Sequence, residues 1–281
     1  MKKILVTGAN GQLGSELAVL SSKYTQYKWV FADRTQVTLD DLGILKIQLN
    51  QIQPDVIFNC GAYTAVDKAE TEKEKAFAIN NLAVELIAKY TRENNTKLIH
   101  ISTDYVFDGT SAIALDEDEE TNPINIYGAS KRAGEIACLK ENPDSIIIRT
   151  SWVYSKFGNN FVKTMQRLMQ EREVINVVND QIGSPTYAAD LAQAMMAILE
   201  SPEWISGIYN YSNEGEISWY EFALRIKELG GYICNIGGIP SGSYPTPAKR
   251  PKFSLLDKKK IKDIYNLNIP NYKESLKKMF L

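Results

Sequence analysis

The chain has 281 residues, of which 44% are hydrophobic and 23% are charged, and its formal net charge at pH 7 is −2. This length suits one large domain or two moderate ones, and the composition excludes a disordered, collagenous or coiled-coil chain. Basic and acidic residues are mixed along the sequence and form no stripe for a polyanion, so no nucleic-acid partner is expected.

No segment is apolar enough to predict a membrane span. The longest unbroken apolar run, residues 194–199, is far shorter than the roughly 20 residues that a spanning helix needs. The basic residues Lys2 and Lys3 are followed by only three apolar residues before Thr7, too few for the apolar region of a secretory signal. The sequence therefore predicts a cytoplasmic protein without a membrane partner.

The small numbers of cysteine and histidine exclude several kinds of site. Cys60, Cys138 and Cys234 show no pairing or close spacing, so neither a disulfide framework nor a zinc motif is expected. The single histidine, His100, lies inside a strand pattern and is interpreted as a satisfied buried residue. A Ser-His-Asp triad or a zinc dehydrogenase site would depend on it, so both are disfavoured.

Short β-rich apolar runs alternate with amphipathic stretches through the first half of the chain. This order predicts an α/β fold with a Rossmann-like, doubly wound parallel sheet. The predicted strands are 3–7, 28–32, 55–59, 97–102 and 145–150, and the predicted helices are 13–23, 38–51, 73–94 and 127–140.

The alternation becomes irregular beyond Trp152, which indicates a second, smaller lobe of mixed α/β structure. The charge runs 116–120 and 258–260 are interpreted as solvated loop or helix faces. The predicted elements here are a helix at 161–172, a strand at 174–178, a helix at 189–200 and a Gly- and Pro-bearing segment at 236–251.

We expect two structural units. Residues 1–154 should form a dinucleotide-binding Rossmann domain, with a contribution from about 188–205. Residues 155–187 and 206–281 should form the lobe that binds the substrate.

Gly8, Gly11 and Gly14 stand where a predicted strand ends in a turn that feeds directly into a helix. Gly8 permits the tight turn, Gly11 lets the backbone approach a pyrophosphate, and Gly14 allows the helix and strand to pack closely. The anion would lie at the helix N-terminus. The spacing is G-x-x-G-x-x-G rather than G-x-G-x-x-G, and in this context it predicts a dinucleotide-binding loop.

Two charged residues after the second strand bear on the choice of dinucleotide. Asp33 can accept hydrogen bonds from an adenosine ribose, which favours NAD. Arg34 is a cation placed to accept a 2′-phosphate, which would favour NADP. The sequence leaves open which side chain faces the ligand, so both NADPH and NADH are expected as cofactors. Small residues in the loop 59–64 would let the dinucleotide lie across the strand ends.

Ser102, Thr103 and Asp104 end the fourth long strand, and Tyr127 and Lys131 begin the next predicted helix. Tyr and Lys at i and i+4 project from one helical face. An ammonium close to a phenol favours the phenolate, so the pKa of Tyr127 is expected to fall from about 10 toward neutrality. A proton donor or acceptor at a carbonyl requires such a group, so the pattern predicts a catalytic pair.

These motifs resemble the extended short-chain dehydrogenase/reductase family, whose marks are the glycine motif at 8–14 and Tyr127-x-x-x-Lys131 with a Ser or Thr upstream. Within that family the chain resembles the dTDP-4-dehydrorhamnose reductase branch. The blocks that carry this closer resemblance fall in order across nearly the whole chain: NCGAYTAVDKAE at 59–70, HISTDYVFDG at 100–109, RTSWVY at 149–154, GNNF at 158–161, NDQIGSPT at 179–186 and YPTPAKRP at 244–251.

The resemblance implies reduction of the 4-keto group of dTDP-4-dehydro-β-L-rhamnose to dTDP-L-rhamnose, the last step in making this sugar donor for cell-surface polysaccharide. It implies that Tyr127 protonates the developing alkoxide and that Lys131 holds the nicotinamide ribose while tuning the phenol. Thr103 would hydrogen-bond the keto oxygen, where preorganised donors are worth a few kcal/mol each. Asp104 and Trp152 would orient the sugar.

The expected binding residues fall into two sets. Arg250, in an extended Pro-flanked segment, is the candidate for the diphosphate because a guanidinium matches a phosphate bidentately. The cofactor set is Gly8, Asn10, Gly11, Gln12, Leu13, Gly14, Asp33, Arg34, Leu39, Asp40, Gly61, Ala62, Tyr63, Thr64, Tyr127 and Lys131. The substrate set is Thr103, Asp104, Trp152, Asn160 and Arg250.

Some members of this branch join through a magnesium ion held by surface carboxylates. Glu16 could serve as a ligand, but residues 187–189 read Tyr-Ala-Ala where a glutamate would be needed. The sequence therefore does not support a Mg²⁺ site, and it leaves a homodimer open.

Two other functions are considered. A nucleotide-sugar dehydratase or epimerase is the nearest enzymatic alternative, but the related dehydratase motif has a Glu where this chain has Tyr105. A non-catalytic role is also open, because a regulatory subunit of methionine adenosyltransferase resembles the same branch and fold alone does not decide function. The presence of Thr103, Tyr127 and Lys131 together favours the enzyme.

Overall fold

Strands and helices alternate through the first half of the chain. The computed structural model describes all 281 residues. The elements of this half are β1 (Lys3–Thr7), α1 (Gln12–Leu20), β2 (Lys28–Ala32), α2 (Leu42–Ile52), β3 (Val56–Asn59), α3 (Val66–Ala69), α4 (Lys73–Phe77), α5 (Ala83–Glu93), β4 (Lys97–Thr103), α6 (Ile126–Glu141) and β5 (Ile146–Thr150).

The second half contains shorter strands between its helices. Its elements are β6 (Val153–Tyr154), α7 (Phe161–Glu171), β7 (Val174–Val178), β8 (Ile182–Gly183), β9 (Thr186–Tyr187), α8 (Ala188–Glu200), β10 (Gly207–Tyr211), β11 (Ile217–Ser218), α9 (Trp219–Gly230), β12 (Asn235–Ile239), α10 (Lys259–Tyr265) and α11 (Tyr272–Phe280). The helices α9, α10 and α11 are not among the predicted elements. None of the helices has both the length and the apolar character that crossing a membrane requires.

Six parallel strands form the central sheet in the order β10-β5-β4-β3-β1-β2. The order reverses between β1 and β3, and ligands of such sheets bind at this switch point, outside the carboxyl ends of the strands. The prediction of a Rossmann-like, doubly wound α/β fold is confirmed.

Apolar side chains alternate along the strands and form a core on each face of the sheet. Ile4, Val6 and Ile148 face a core shared with α1, α8 and α10, whereas Leu5 and Ile147 face a core shared with α2 and α5. Because the strands are buried on both faces, they show the continuous hydrophobic pattern that predicts a parallel sheet. Each fully buried aliphatic side chain contributes about 1.5–3 kcal/mol.

A third core belongs to the smaller lobe. The helices α7, α9 and α11 bury Val162, Phe222 and Leu276 against the parallel pair of strands β7 and β12. Ser218 and Glu221 start α9 with reciprocal side-chain to backbone hydrogen bonds, which satisfy N–H groups at the helix start.

The division between the two units differs from the expected one after residue 206. Gly207–Tyr211 pairs in parallel with β5 as an edge strand of the central sheet. Ile261 and Tyr265 of α10 pack into the core on the same sheet. Residues 206–281 therefore contribute to both units, because any segment that returns to the sheet can supply its edge strand.

The charge runs 116–120 and 258–260 were expected to be solvated, but each contains a buried residue. Glu117 is only 9% exposed and accepts a hydrogen bond from the backbone N–H of Asn210 at 2.8 Å. Lys258 is 6% exposed and its ammonium lies 3.4 Å from the Glu214 carboxylate. Each buried charge has a partner that offsets its lost hydration.

Candidate active site

The glycine loop between β1 and α1 fits a dinucleotide. Gly8 has a φ of +65°, and a Cβ there would lie 2.8 Å from the Cα of Gly61 in the loop after β3. A Cβ at Gly14 would lie 2.5 Å from the carbonyl oxygen of Gly8. No side chain caps α1 at Gly11, so the first N–H groups of the helix are left for an anion.

A cavity of about 520 Å³ lies beside this loop and is lined in part by Asn10, Ser15, Phe31 and Asp33. The Asp33 carboxylate accepts hydrogen bonds from the Thr35 N–H at 2.9 Å and from the Asn10 side chain at 3.1 Å. These bonds, those from Thr35 above all, lower the pKa of Asp33, so it is ionised at neutral pH. The carboxylate can therefore accept from a ribose.

Arg34, Leu39 and Asp40 lie in the segment between β2 and α2. Arg34 is exposed and makes no ion pair or hydrogen bond through its side chain. Leu39 lies against Gly61, where a Cβ would meet its side chain at 2.6 Å. Asp40 is exposed and accepts from the Thr38 hydroxyl.

Hydrogen bonds tie the loop after β3 to the glycine loop. The Gly61 N–H donates to the Thr7 hydroxyl at 3.0 Å, and that hydroxyl donates to Asn59 at 2.7 Å. The Asn59 amide lies 3.0 Å from Nδ1 of His100, which is fully buried. Burial lowers the pKa of His100 well below its usual value. The residue is buried as expected, but it is not fully satisfied, because its Nε2 has no hydrogen-bond partner. These contacts hold the loop residues Gly61, Ala62, Tyr63 and Thr64 beside the strand ends.

Asn80 is a positioning residue that the sequence interpretation missed. It lies in a π-helical turn, Ala78–Leu82, between α4 and α5, and π turns are frequent at functional sites. Its side chain accepts from the Tyr63 N–H at 2.9 Å and donates to the Tyr63 carbonyl at 3.0 Å and to the Ser130 hydroxyl at 2.9 Å. A Cβ at Gly134 would lie 2.0 Å from the Asn80 carbonyl oxygen, so α6 approaches this turn closely. In the sequence, Gly134 was the feature that could have indicated this close approach.

Thr103, Asp104 and Tyr127 lie together at the carboxyl end of β4. The Thr103 hydroxyl donates to the Asp104 carboxylate at 3.0 Å, and its nearness to the phenol lowers the pKa of Tyr127. Burial outweighs this effect and raises the pKa of Tyr127 to about 12. The expected fall of this pKa toward neutrality is therefore wrong for this structure, and the phenol is protonated at neutral pH.

Lys131 lies one turn after Tyr127, and its ammonium donates to the carbonyl oxygen of Ile101 at 2.6 Å. The residue is only 2% exposed, and burial lowers its pKa to about 8 against the partly compensating charge of Glu135. Burial is the main cause of the pKa shifts of both Tyr127 and Lys131. The spacing of the two residues along a helix does not reveal how deeply either one is buried.

The Lys131→Met variant is expected to be more stable and less able to bind cofactor. The folded pKa of about 8 is below the ordinary 10.5, so the unfolded chain binds more protons between these values. The penalty on folding is full below pH 8 and fades as the pH rises toward 10.5. Methionine removes it, and we expect a gain of about 1–3 kcal/mol at pH 7.

Urea unfolding at pH 7 and pH 10, with NADPH fluorescence titration, measures both effects. Lys140→Met removes an exposed ammonium from the same helix and is the control. A Lys131→Met protein that is less stable and binds NADPH as well as the wild type does would contradict the prediction.

The remaining residues that were expected to bind the substrate are dispersed over other parts of the structure. Trp152 has a left-handed φ of +48° and stacks on Trp219 of α9, with 3.6 Å between ring centroids, so its indole joins β5 to the smaller lobe. Asn160 caps α7 through Lys163 and donates to Gln12 at 3.0 Å, so it contacts the glycine loop rather than the Thr103 cluster.

Arg250 is already paired within the protein. Its guanidinium binds the Asp67 carboxylate through two nitrogens, at 3.0 and 2.9 Å, and also donates to the Thr246 hydroxyl. Its ion pair joins the Pro-flanked segment to α3, a contact between distant segments that no local pattern indicates.

Glu16, the carboxylate considered for a metal, is 6% exposed and accepts from the Ser155 hydroxyl at 2.6 Å. Burial raises its pKa. Its geometry is that of a hydrogen-bonded buried acid at the junction of α1 with the segment after β6.

The whole chain, residues 1–281, matches the family model of the RmlD substrate-binding domain. The dTDP-4-dehydrorhamnose reductase of Aggregatibacter actinomycetemcomitans is 37% identical over 287 aligned residues, covering 99% of this chain and 98% of that protein. Two solved structures of dTDP-4-dehydrorhamnose reductases are also similar. That from Bacillus anthracis, in complex with NADP, has a TM-score of 0.95 at 39% identity and covers 100% of this chain and 99% of that one. The structure from Clostridium acetobutylicum has a TM-score of 0.94 at 36% identity and covers 99% of this chain and 98% of that one.

Proposed function

The chain belongs to the RmlD substrate-binding-domain family of dTDP-4-dehydrorhamnose reductases, and from this premise we propose that it reduces the 4-keto group of dTDP-4-dehydro-β-L-rhamnose to give dTDP-L-rhamnose. In this proposal the chain is an NAD(P)H-dependent oxidoreductase that catalyses the last step in the synthesis of the sugar donor. The nucleotide sugar and the cofactor are cytoplasmic metabolites, so we expect the enzyme in the cytoplasm.

The observation that carries the proposal is that Thr103, at the end of β4, lies beside the start of α6, which carries Tyr127: a Cβ at Gly128 would lie only 2.1 Å from the Tyr105 carbonyl oxygen. A bound reduced nicotinamide supplies the hydride. Tyr127, protonated because burial raises its pKa to about 12, donates a proton to the developing alkoxide. Thr103 offers a hydroxyl to the same oxygen, and Lys131 presents a buried cation one helical turn away.

We assign the cofactor to the glycine loop, the Asp33 cavity and the loop after β3. The sugar nucleotide would lie between the strand ends and the smaller lobe, near Asp104, Trp152, Asn160 and Arg250. The Asp67 pair of Arg250 means that this guanidinium would meet a diphosphate as part of an ion pair rather than as a free cation.

The dehydratase alternative lacks its second carboxylate. Tyr105 occupies that position, and its ring packs edge-on to Tyr127 with 5.6 Å between centroids. Burial raises the pKa of Tyr105 far above its usual value, so it does not replace an acidic residue.

The test is the oxidation of NADPH, followed at 340 nm, on addition of the 4-keto sugar nucleotide. We expect one NADPH consumed per dTDP-L-rhamnose formed, with the product identified by NMR. dTDP-glucose, which has no keto group, is the control. Binding of the keto sugar without NADPH oxidation would favour a binding module, and loss of water from dTDP-glucose would favour a dehydratase.

Both cofactors should be accepted, and Asp33 and Arg34 should bias the choice in opposite directions. Asp33→Ala is expected to weaken the use of NADH and to spare or improve NADPH, because it removes repulsion of the 2′-phosphate. Arg34→Ala is expected to do the reverse. A charge-assisted hydrogen bond is worth about 1.5–3 kcal/mol, so each preference should change by roughly ten- to a hundredfold.

Steady-state kcat/KM for the two reductants on the wild type and both variants measures this preference. Equal effects on NADH and NADPH in both variants would show that discrimination comes from another part of the pocket.

A further inference from the structure

Trp152 has an unusual backbone conformation. Its φ of +48° lies in the left-handed region, which a bulky aromatic residue rarely adopts. Such a conformation costs free energy and persists only where surrounding contacts over-determine it. The segment 184–186 supplies such contacts. The Ser151 hydroxyl donates to the Ser184 carbonyl oxygen at 2.6 Å, and the Thr186 N–H donates to the Trp152 carbonyl oxygen at 3.3 Å.

The indole of Trp152 lies in a slot formed by β8 and the start of α9. Its ring stacks on Trp219, with 3.6 Å between centroids and 11° between planes. A Cβ at Gly183 would lie 3.0 Å from two carbons of the same indole, so the glycine lets β8 approach the ring closely. Gly183 pairs with Ile217 in the antiparallel ladder of β8 and β11, and Phe161 packs on Trp219 with 4.5 Å between centroids. One frame of the smaller lobe therefore contacts the indole at two points.

This slot lies beside the proposed sugar site. Thr103 and Thr150 are opposite each other in the parallel register of β4 and β5, and Trp152 follows Thr150 by two residues. Trp152 is therefore at the carboxyl edge of the sheet, where ligands of such folds bind. Trp29 and Trp204 donate their indole N–H groups to backbone carbonyl oxygens. The Trp152 N–H makes no hydrogen bond within the chain and the residue is only partly buried, so this donor is available to a ligand.

We propose that Trp219 is a positioning residue, which holds the Trp152 indole so that its N–H donates to a hydroxyl group of the bound sugar. This inference rests on the proposed function and deepens it, because it gives the smaller lobe a part in recognising the sugar. Trp219 acts through Trp152 rather than on the reacting atoms. The stack fixes the indole before the ligand binds, so the cost of ordering this side chain is met on folding and not on binding.

Trp219→Leu removes the stacked ring and keeps an apolar side chain, whereas Trp219→Phe keeps an aromatic ring. Calorimetric titrations with dTDP-L-rhamnose and with dTDP alone separate recognition of the sugar from recognition of the nucleotide. From the usual strength of an aromatic pair, we expect Trp219→Leu to weaken the binding of dTDP-L-rhamnose by about three- to tenfold. The affinity for dTDP should not change, and Trp219→Phe should bind both ligands nearly as well as the wild type does.

Steady-state kinetics measure the same effect during turnover. In Trp219→Leu the KM for the keto sugar should rise by the same factor as the loss of affinity, while the KM for NADPH stays unchanged. Trp204→Leu is the matched control, because it removes a partly buried indole at the amino end of β4, where it contacts Lys97. This control should bind both ligands as the wild type does.

The double variant Trp219→Leu/Trp152→Ala tests whether Trp219 acts through Trp152. If it does, Trp219→Leu has no further effect on the affinity for dTDP-L-rhamnose once the Trp152 indole is gone. An equally large effect with and without that indole would overturn the proposal. A loss of affinity in Trp219→Leu that is the same for dTDP as for dTDP-L-rhamnose would also overturn it.

Fluorine NMR of the wild-type protein labelled with fluorotryptophan provides a test that does not depend on the Trp219 variants. The Trp152 signal, assigned by its loss in Trp152→Ala, should shift on addition of dTDP-L-rhamnose and much less on addition of dTDP. A Trp152 signal that dTDP-L-rhamnose does not move would overturn this inference, even in a protein that reduces the keto sugar. A wild-type protein that neither binds dTDP-L-rhamnose nor reduces the keto sugar would overturn the proposed function itself.

Discussion

Replacing Tyr127 with phenylalanine is expected to lower turnover by about 10²- to 10⁴-fold while leaving the affinity for NADPH nearly unchanged. The ring still fills its place against Tyr105, but the proton donor is gone. Because burial raises the pKa of this phenol to about 12, wild-type Tyr127 carries its proton throughout the neutral range. Its loss should therefore affect kcat at every pH between 6 and 9.

Tyr105→Phe is the matched control, because it removes the hydroxyl of the neighbouring ring and should change turnover by less than about threefold. Single-turnover rates with the keto sugar, together with NADPH titrations, separate chemistry from binding. If Tyr127→Phe retains more than a tenth of the wild-type single-turnover rate, Tyr127 is not the proton donor.

The parts of the site that sequence reasoning predicted are those that local chain geometry determines. Gly8, Gly11 and Gly14 are tied to one strand, turn and helix, and Tyr127 and Lys131 share one face of α6. Such spacings have the same meaning in any fold that provides the strand and the helix.

Other features depend on contacts between distant segments, and the sequence alone did not reveal them. The pKa of Tyr127 is set by how deeply packing buries its hydroxyl, so spacing from Lys131 gave the wrong direction. The Asp67–Arg250 pair joins residues 183 positions apart. Asn80 is placed by a π turn whose position is fixed by contact with Gly134 on another helix.

Breaking the ion pair that attaches α6 to the sheet is expected to lower the free energy of unfolding more than any other change predicted for this chain. Glu135 lies one turn after Lys131, and its carboxylate binds Arg149 of β5 through two hydrogen bonds of 2.9 Å. Both side chains are at most 1% exposed. Arg149 also donates to the Glu117 carbonyl and lies 5.1 Å from the Phe107 ring centroid. The pair fixes the helix that carries Tyr127 against the strand next to Thr103.

Glu135→Leu is expected to reduce the free energy of unfolding by about 3–5 kcal/mol, because it leaves the Arg149 cation buried without its counter-charge. The double variant Glu135→Leu/Arg149→Met should recover much of this loss, since removing both charges also removes their desolvation cost. Glu171→Gln, which breaks the exposed pair with Arg167, is the control and should change stability by less than about 1 kcal/mol. Urea unfolding of the four proteins measures these differences. A loss below 1 kcal/mol in Glu135→Leu, or a double variant less stable than the single one, would show that the buried pair does not act as a unit in holding α6 to the sheet.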